Sequence, residues 1–235
     1  MNARPTPRER LRAQLVREIK EKARRQLSEV GPQGLSLRAV ARDMNMVSSG
    51  LYRYFASRDE LLTALIVDSY NTLGTWAERA LDADATPPSH RARWHAVCAA
   101  VRAWALKYPH EYALIFGTPV PGYSAPAGTV EAAVRVPTAL FTVVRDAWAD
   151  RALTPPRPDR PLGSELAGQA RFVTESIAPG LPEPLAVRTA AAWTQLFGMV
   201  GFELFGHLKG SFDPADAFFG HTVDLMADLL GFPVS

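Results

Sequence analysis

The side chains best suited to chemistry in this sequence lie between Ser36 and Phe55, where serines, arginines and tyrosines are interleaved with apolar residues. Hydroxyl and guanidinium groups are donors that meet phosphate oxygens and base edges in nucleic acids. The interleaved residues Val40, Met44, Met46, Leu51 and Phe55 are spaced as the shared core of two short crossed helices. Ala41 falls at the crossing, where only a small side chain fits, and Asn45 at a turn position that wants positive φ, which Asn tolerates better than most residues. Ser36 is the N-cap candidate of the first short helix and Ser48 that of the second. This is the pattern of a helix-turn-helix whose second helix presents Ser48, Ser49, Gly50, Tyr52 and Arg53 to a major groove.

Elsewhere reactive groups are sparse. There is no His-Glu-x-x-His, no lysine-bearing phosphate loop, no Gly-x-Ser-x-Gly and no repeated Asp/Glu/His cluster, so neither an enzyme nor a metal or cofactor site is expected. Cys98 is the only cysteine, which excludes an internal disulfide and a cysteine-rich zinc site. Its Ala-rich setting reads as a small buried hydrophobe rather than a redox sensor. His95 and His207 stand alone and read as structural. Charge divides along the chain: Met1 to Glu60 carry 13 Lys+Arg against 7 Asp+Glu, a surplus of six positive charges, whereas Leu61 to Ser235 carry 13 against 17, a surplus of four negative ones. The asymmetry suggests a nucleic-acid-binding head on a neutral-to-acidic body, although a solvated surface would show it too. No run of about 18 apolar residues occurs and the Arg-rich N-terminus lacks the apolar stretch of a secretory signal, so a cytoplasmic protein with no membrane partner is expected.

The elements that position these residues are helices. Apolar residues recur at spacings of three and four with no lasting alternation, which predicts an all-α fold, and 47% hydrophobic content over 235 residues is enough for a substantial core. Leu11, Leu15, Ile19, Ala23 and Leu27 mark one face of a helix over Arg8 to Val30, stopped by Gly31-Pro32-Gln33-Gly34. Ser57 and Glu60 form a capping box that opens a helix to about Leu81, carrying Leu61, Leu65, Tyr70 and Trp76. A loop to Pro88, a helix over Ser89 to Tyr108 and another from Pro109 follow, then an irregular Gly/Pro-rich stretch from Gly117 to Gly128. Helices are expected over Thr129 to Arg151 and Ser164 to Ile177, with an exposed linker at Pro155-Pro156-Arg157-Pro158 and Pro161 between them. Pro182-Glu183-Pro184 opens an apolar helix to about Leu208, and Asp213-Pro214 starts the last one, ending near Leu230 before Gly231.

The run Leu51-Tyr52-Arg53-Tyr54-Phe55-Ala56-Ser57-Arg58-Asp59-Glu60-Leu61 resembles the N-terminal domain of the TetR family, whose signature reads Leu-Tyr-x-His/Tyr-Phe, a short turn, Lys and then Leu. Asn45 stands where the family usually has a turn glycine and Arg58 where it has lysine; both keep the physical requirement. The resemblance implies a DNA-binding domain over residues 1–56 and a helical ligand-binding and dimerisation domain over 57–235. It implies a repressor that leaves operator DNA when a small apolar molecule binds; an activator or an effector-independent regulator is the alternative. By the same resemblance Ser36, Arg38 and Arg58 touch phosphate. Tyr52 and Tyr54 meet the backbone, sugars or thymine methyls, and Val47, Ser48, Ser49 and Gly50 face base edges, with Arg53 beside them. A core or interhelix contact is the alternative role for Tyr54. Arg4, Arg8, Arg10 and Arg12 read as a basic arm for a minor groove or as a disordered tail.

In the C-terminal half, Trp193 to His207 resembles the penultimate helix of a TetR subgroup with a Trp- and Gly-rich C-terminal domain. Leu185, Thr189, Ala192, Leu196, Val200 and Leu204 make one stripe, and Phe218, Thr222, Met226 and Leu229 another. Pairing with their symmetry mates would place Trp193, Val200, Leu204, Phe218, Thr222 and Met226 in a homodimer interface, with Gly198 and Gly201 allowing close approach. Packing inside one subunit is the other option for these stripes. The aromatic residues Trp104, Tyr112, Phe116, Phe141, Trp148, Phe172 and Phe197 supply a candidate effector pocket or ordinary core. Glu203, on an apolar segment, needs a partner or faces the pocket mouth. Effector binding would pivot the helix that begins at Ser57.

Overall fold

The computed structural model describes residues 6–82, 89–154 and 161–233. Arg4, the expected loop at 83–88 and the proline linker at 155–158 lie outside the described residues. Among the described residues the regular structure is helical, with no strand, so the all-α expectation holds. The elements are α1 (Pro7–Val30), α2 (Leu37–Asp43), α3 (Ser48–Leu51), α4 (Arg58–Asp82), α5 (His90–Lys107), α6 (Pro109–Phe116), α7 (Val130–Ala133), α8 (Arg135–Ala149), α9 (Ser164–Ile177), α10 (Glu183–Leu204) and α11 (Asp216–Leu230). They group into two compact units: one of the described residues up to Tyr70 with His110–Val130, the other of Asn71–Pro109 with those from Glu131 on.

Local chemistry explains several helix ends. Thr6 and Glu9 form a reciprocal capping box, the Glu9 N–H donating to Thr6 Oγ1 at 3.3 Å and the Thr6 N–H to Glu9 Oε2 at 2.7 Å, with Pro7 preset in the first turn. Arg8, Arg10 and Arg12 are therefore helical, and the expected arm or tail is corrected from Pro7 onward. Gly31, at φ 71°, ends α1. Ser57 Oγ accepts the Glu60 N–H at 3.1 Å, while the Glu60 carboxylate reaches one residue further back than a standard box, to the Ala56 N–H at 2.6 Å. Ser89 caps α5 through the Ala92 N–H at 3.2 Å. Gly231, left-handed at φ 87°, closes α11.

Three boundaries differ from expectation. The helix predicted over Thr129 to Arg151 is two, α7 and α8, bent by 42° at Val134. Pro137 is the cause: it has no N–H for the Ala133 carbonyl, and its ring crowds that group. Helix α10 stops at Leu204, ahead of a turn in which Gly206 takes φ 80°. Helix α11 starts at Asp216, with Ala215 rather than Asp213 as N-cap, and Asp216 supplies the first-turn carboxylate. No single described helix is long and apolar enough to cross a membrane; the bent α7–α8 pair passes on length and composition, and α8 buries its apolar face in the protein.

In the smaller unit, Ile19, Ala23 and Leu27 of α1 bury against Val40 and Ala41 of α2, Leu51 of α3 and Leu61, Leu62 and Leu65 of α4. Leu114 and Ile115 of α6 pack on this core, and Tyr123 meets Thr63 at 2.9 Å between hydroxyls. Asp68 accepts from Lys20 at 2.9 Å and from Arg24 at 2.8 Å, and Glu111 accepts from Ser69 at 3.0 Å. In the larger unit, Arg135 of α8 grips α4, donating to Glu78 at 2.8 Å and to the Asn71 carbonyl at 2.8 Å. Arg91 of α5, itself buried, binds Asp224 at 2.7 Å and Asp228 at 2.6 Å on α11.

Candidate nucleic-acid interface

Helices α2 and α3 are joined by a turn of the kind the sequence pattern requires. Asn45 takes φ 52°, its N–H donating to the Arg42 carbonyl at 3.0 Å, and the Met46 N–H returns to the Ala41 carbonyl at 2.9 Å. Ala41, fully buried, sits under this return. Ser36 is the N-cap of α2: its Oγ accepts the Ala39 N–H at 3.4 Å, and its own N–H donates to Gln26 Oε1 at 2.9 Å. The N-cap of α3 is Val47, in extended conformation, so Ser48 is the first helical residue rather than the cap. Beyond Leu51 the chain continues in hydrogen-bonded turns, Tyr52 N–H to Ser48 O at 3.2 Å and Tyr54 N–H to Leu51 O at 2.9 Å.

This geometry leaves a continuous exposed row. Val47 is 73% exposed and Tyr52 44%, with Ser48, Ser49, Arg53 and Arg38 also exposed, while Ser36, Gly50 and Tyr54 are half-buried. The Arg12 guanidinium lies 5.2 Å from the Tyr54 ring centroid, so Tyr54 has an interhelix contact. Arg58 spends three donors inside the unit: Nε on the Leu35 carbonyl at 3.2 Å, Nη2 on the Pro32 carbonyl at 2.7 Å and Nη1 on Asp59 at 3.1 Å. It clasps the turn between α1 and α2, leaving two of its five N–H groups for other partners.

The residues singled out for an effector pocket are not brought together. Tyr112 and Phe116 pack with tilted rings, centroids 5.1 Å apart, in the smaller unit, where burial pushes the Tyr112 phenol pKa up. Trp104 and Phe141 are buried in the larger unit, Trp104 donating to Thr72 Oγ1 at 3.3 Å. Phe172 is 72% exposed and Trp148 40%, so neither lines an enclosed space within the chain. Phe197 is half-buried beside Trp193, their rings 6.3 Å apart. Glu203 has the partner its setting demands: Arg102 binds both carboxylate oxygens, at 2.6 and 2.8 Å. Arg102 also reaches Asp216 at 2.9 Å, and these hydrogen bonds, Glu203's first, raise its guanidinium pKa.

Sequence reasoning missed Trp94, a fully buried residue whose indole N–H has no partner, a condition it shares with the Trp193 indole. Neither signal exists in a sequence. Burial also revises the expected interface stripes. Val200, Met226 and Thr222 are 0%, 3% and 7% exposed, and Trp193, Leu204 and Phe218 half-buried, so these stripes pack largely within the protomer. The strongest apolar face of a helix goes to the nearest core, here that of α5, α8, α9 and α11 around α10. The outward faces carry Gly198 and Phe202 on α10, with Phe205 at its C-cap, and His221, Leu225 and Leu229 on α11.

Comparison with known proteins agrees with the helix-turn-helix geometry. Residues 19–65 match the model of the bacterial regulatory proteins of the tetR family, and residues 94–226 that of a tetracyclin repressor-like C-terminal domain. A helix-turn-helix-type transcriptional regulator of Mycobacterium tuberculosis is 38% identical over 223 residues, 93% of either chain. The crystal structure of a regulatory protein, 34% identical, superposes with a TM-score of 0.75 over 95% of this chain and 100% of that one. The TetR family regulator PfmR from Thermus thermophilus, at 16% identity and a TM-score of 0.57 over 92% of this chain and 99% of its own, shares the fold. On these matches, this chain belongs to the TetR family of transcriptional regulators, DNA-binding proteins rather than enzymes.

Proposed function

We propose that this regulator is a homodimeric repressor that holds operator DNA through the face from Val47 to Tyr54 and releases it when a small, largely apolar molecule binds the larger unit. The observation that carries the reading is the exposed row around Gly50. A Cβ at Gly50 would meet Met46 Cε at 3.4 Å and Val47 Cγ2 at 3.7 Å, ordinary contacts, so the fold itself does not require glycine there. A duplex approaching the backbone closely would require it. Val47, Ser48 and Ser49 then face base edges with Arg53 beside them, and Ser36, Arg38, Tyr52, Tyr54 and the two remaining N–H groups of Arg58 take phosphates. Two heads in a dimer fit major grooves about 34 Å apart. The outward stripes of α10 and α11 replace the buried ones as the pairing surface.

Coupling is supported by α4, one continuous helix that belongs partly to each unit. To change occupancy the effector must favour the released state by about 1 to 3 kcal/mol. Gel-shift titration on duplexes from the protein's own upstream region tests the first half: salt-sensitive, site-selective retardation is expected, and a purified dimer that ignores these duplexes at low ionic strength overturns it. Adding a panel of small aromatic and aliphatic carbonyl compounds tests release. A reporter in a deletion strain separates a repressor, whose loss raises expression, from an activator, whose loss lowers it.

A further inference from the structure

We propose that the first turns of α1 are a second DNA-binding surface, a helical clamp on the phosphates that flank the bases read by the Val47–Tyr54 face; the proposal rests on the DNA-binding reading above. Helix α1 starts well ahead of the residues its core needs. Its first fully buried residue is Ile19, and of the twelve residues from Pro7 to Glu18, about 18 Å of helix at 1.5 Å per residue, the partly buried Val16 is the one apolar side chain packed against the core. Leu11, on the stripe expected to be buried, is 58% exposed. Turns that bury so little are not explained by packing.

What these turns present is positive charge. Arg8, Arg10, Arg12 and Arg17 are exposed along them, with Glu9 and Glu18 as the only acids. Both acids are engaged: Glu9 by the Thr6 N–H and hydroxyl at 2.7 and 2.9 Å, and Glu18 by Gln14 at 2.9 Å. The Thr6 hydrogen bonds hold the Glu9 carboxyl below its ordinary range, so it stays ionised within its cap. Arg12 fixes the direction of the surface, because its guanidinium lies 5.2 Å from the ring of Tyr54, the last polar side chain of the DNA-facing row. A guanidinium stacked through its face keeps its N–H edges available to a planar or anionic partner. Arg8 lies one turn before Arg12 on the same side of the helix.

The helical state also decides what is bound. A helix with its side chains is about 10 Å or more across and does not enter a minor groove about 6 Å wide, so the partner is the phosphate backbone rather than base edges. Phosphate contacts carry no sequence information but add to the salt dependence of binding.

The test uses the full chain and a duplex whose protected site has first been mapped by footprinting its upstream region. Arg8→Gln and Arg12→Gln, both at exposed positions, are expected to keep the helical circular dichroism of the parent. Each is expected to reduce the slope of log Kobs against log salt by about 0.9 for every phosphate that the variant no longer neutralises. The weakening should be equal on the mapped site and on unrelated duplex, leaving the specificity ratio unchanged, and Arg12→Lys should restore most of the slope. Trimming the flanks from the mapped site should erase the difference between parent and variants. An unaltered slope in folded Arg8→Gln and Arg12→Gln, or a changed specificity ratio, overturns the clamp while site-selective binding by the parent stands. A parent that shows no site preference fails earlier, and takes the DNA-binding reading with it.

Discussion

Gly50 sets fold stability against recognition. It is the third residue of α3, outside the glycines with positive φ, and a Cβ there would meet only ordinary side-chain contacts. Gly50→Ala is therefore expected to stabilise the fold by about 0.5 to 1 kcal/mol, as in other helix interiors, and to raise the thermal midpoint by roughly 1 to 4 °C for a chain of this size. On the proposed DNA-binding face the added methyl would stand in the way of the duplex, so operator affinity measured by fluorescence anisotropy should fall by roughly tenfold, about 1.4 kcal/mol. Unchanged affinity would remove Gly50 from the interface. Residues whose role is set by neighbours along the chain were legible: Asn45 takes φ 52° because a short polar side chain tolerates that turn, and Ala41 is buried because the helices cross there. Residues whose role depends on distant packing were not. Nothing in composition separates Phe172, 72% exposed, from Phe141, 2% exposed, or marks the indole N–H of Trp94 as unpartnered.

At the scale of elements, the larger unit is tied by guanidinium groups that each bridge helices. Hydrogen bonds from Arg102, Arg91 and Arg135 hold the carboxyls of Asp216, Asp224 and Glu78, respectively, below their ordinary values. In the unfolded chain these groups protonate near pH 4. The folded state takes up their protons less readily, so the stability they contribute is present in full above about pH 4 and is lost as pH falls through the lowered values. A flat thermal midpoint between about pH 7 and 5 and a steep decline below pH 4 are expected, and Asp216→Asn should make that decline shallower; an identical decline would show that the pair does not contribute. Glu203→Gln is expected to cost on the order of 2 kcal/mol, because it breaks a bidentate pair whose side chains are only 14% and 15% exposed. Adding Arg102→Met should recover part of that loss, since the guanidinium, left with Asp216 as its carboxylate partner, is then gone. Helix ends with caps or glycines were legible at Gly31, Ser57, Ser89 and Gly231. The break before α8 has its signal in Pro137, and the capping box of α1 has its own in Thr6 and Glu9, though apolar spacing alone passes over both.

At the scale of the molecule, periodicity finds the buried face of a helix but does not say which chain buries it. Val200 and Met226 have the spacing of a pairing stripe and lie in the protomer's own core, whereas Phe202, 57% exposed, and Leu225, 52% exposed, lie on the outward faces of α10 and α11. The two classes of position respond differently to charge. An arginine at Val200 has no route to water and no partner, so Val200→Arg should unfold the chain, with the helical signal lost on a mild thermal ramp. An arginine at Leu225 or an aspartate at Phe202 stays solvated in the monomer and becomes costly only when a second copy covers it. Leu225→Arg and Phe202→Asp are thus expected to sediment as folded monomers at concentrations where the parent is a dimer. Their affinity for a two-half-site operator should fall steeply, because each head then binds alone, while weak salt-dependent binding to unrelated duplex persists. Should both variants sediment as dimers, the copies pair through some other surface, and the loss of operator affinity would not be expected either.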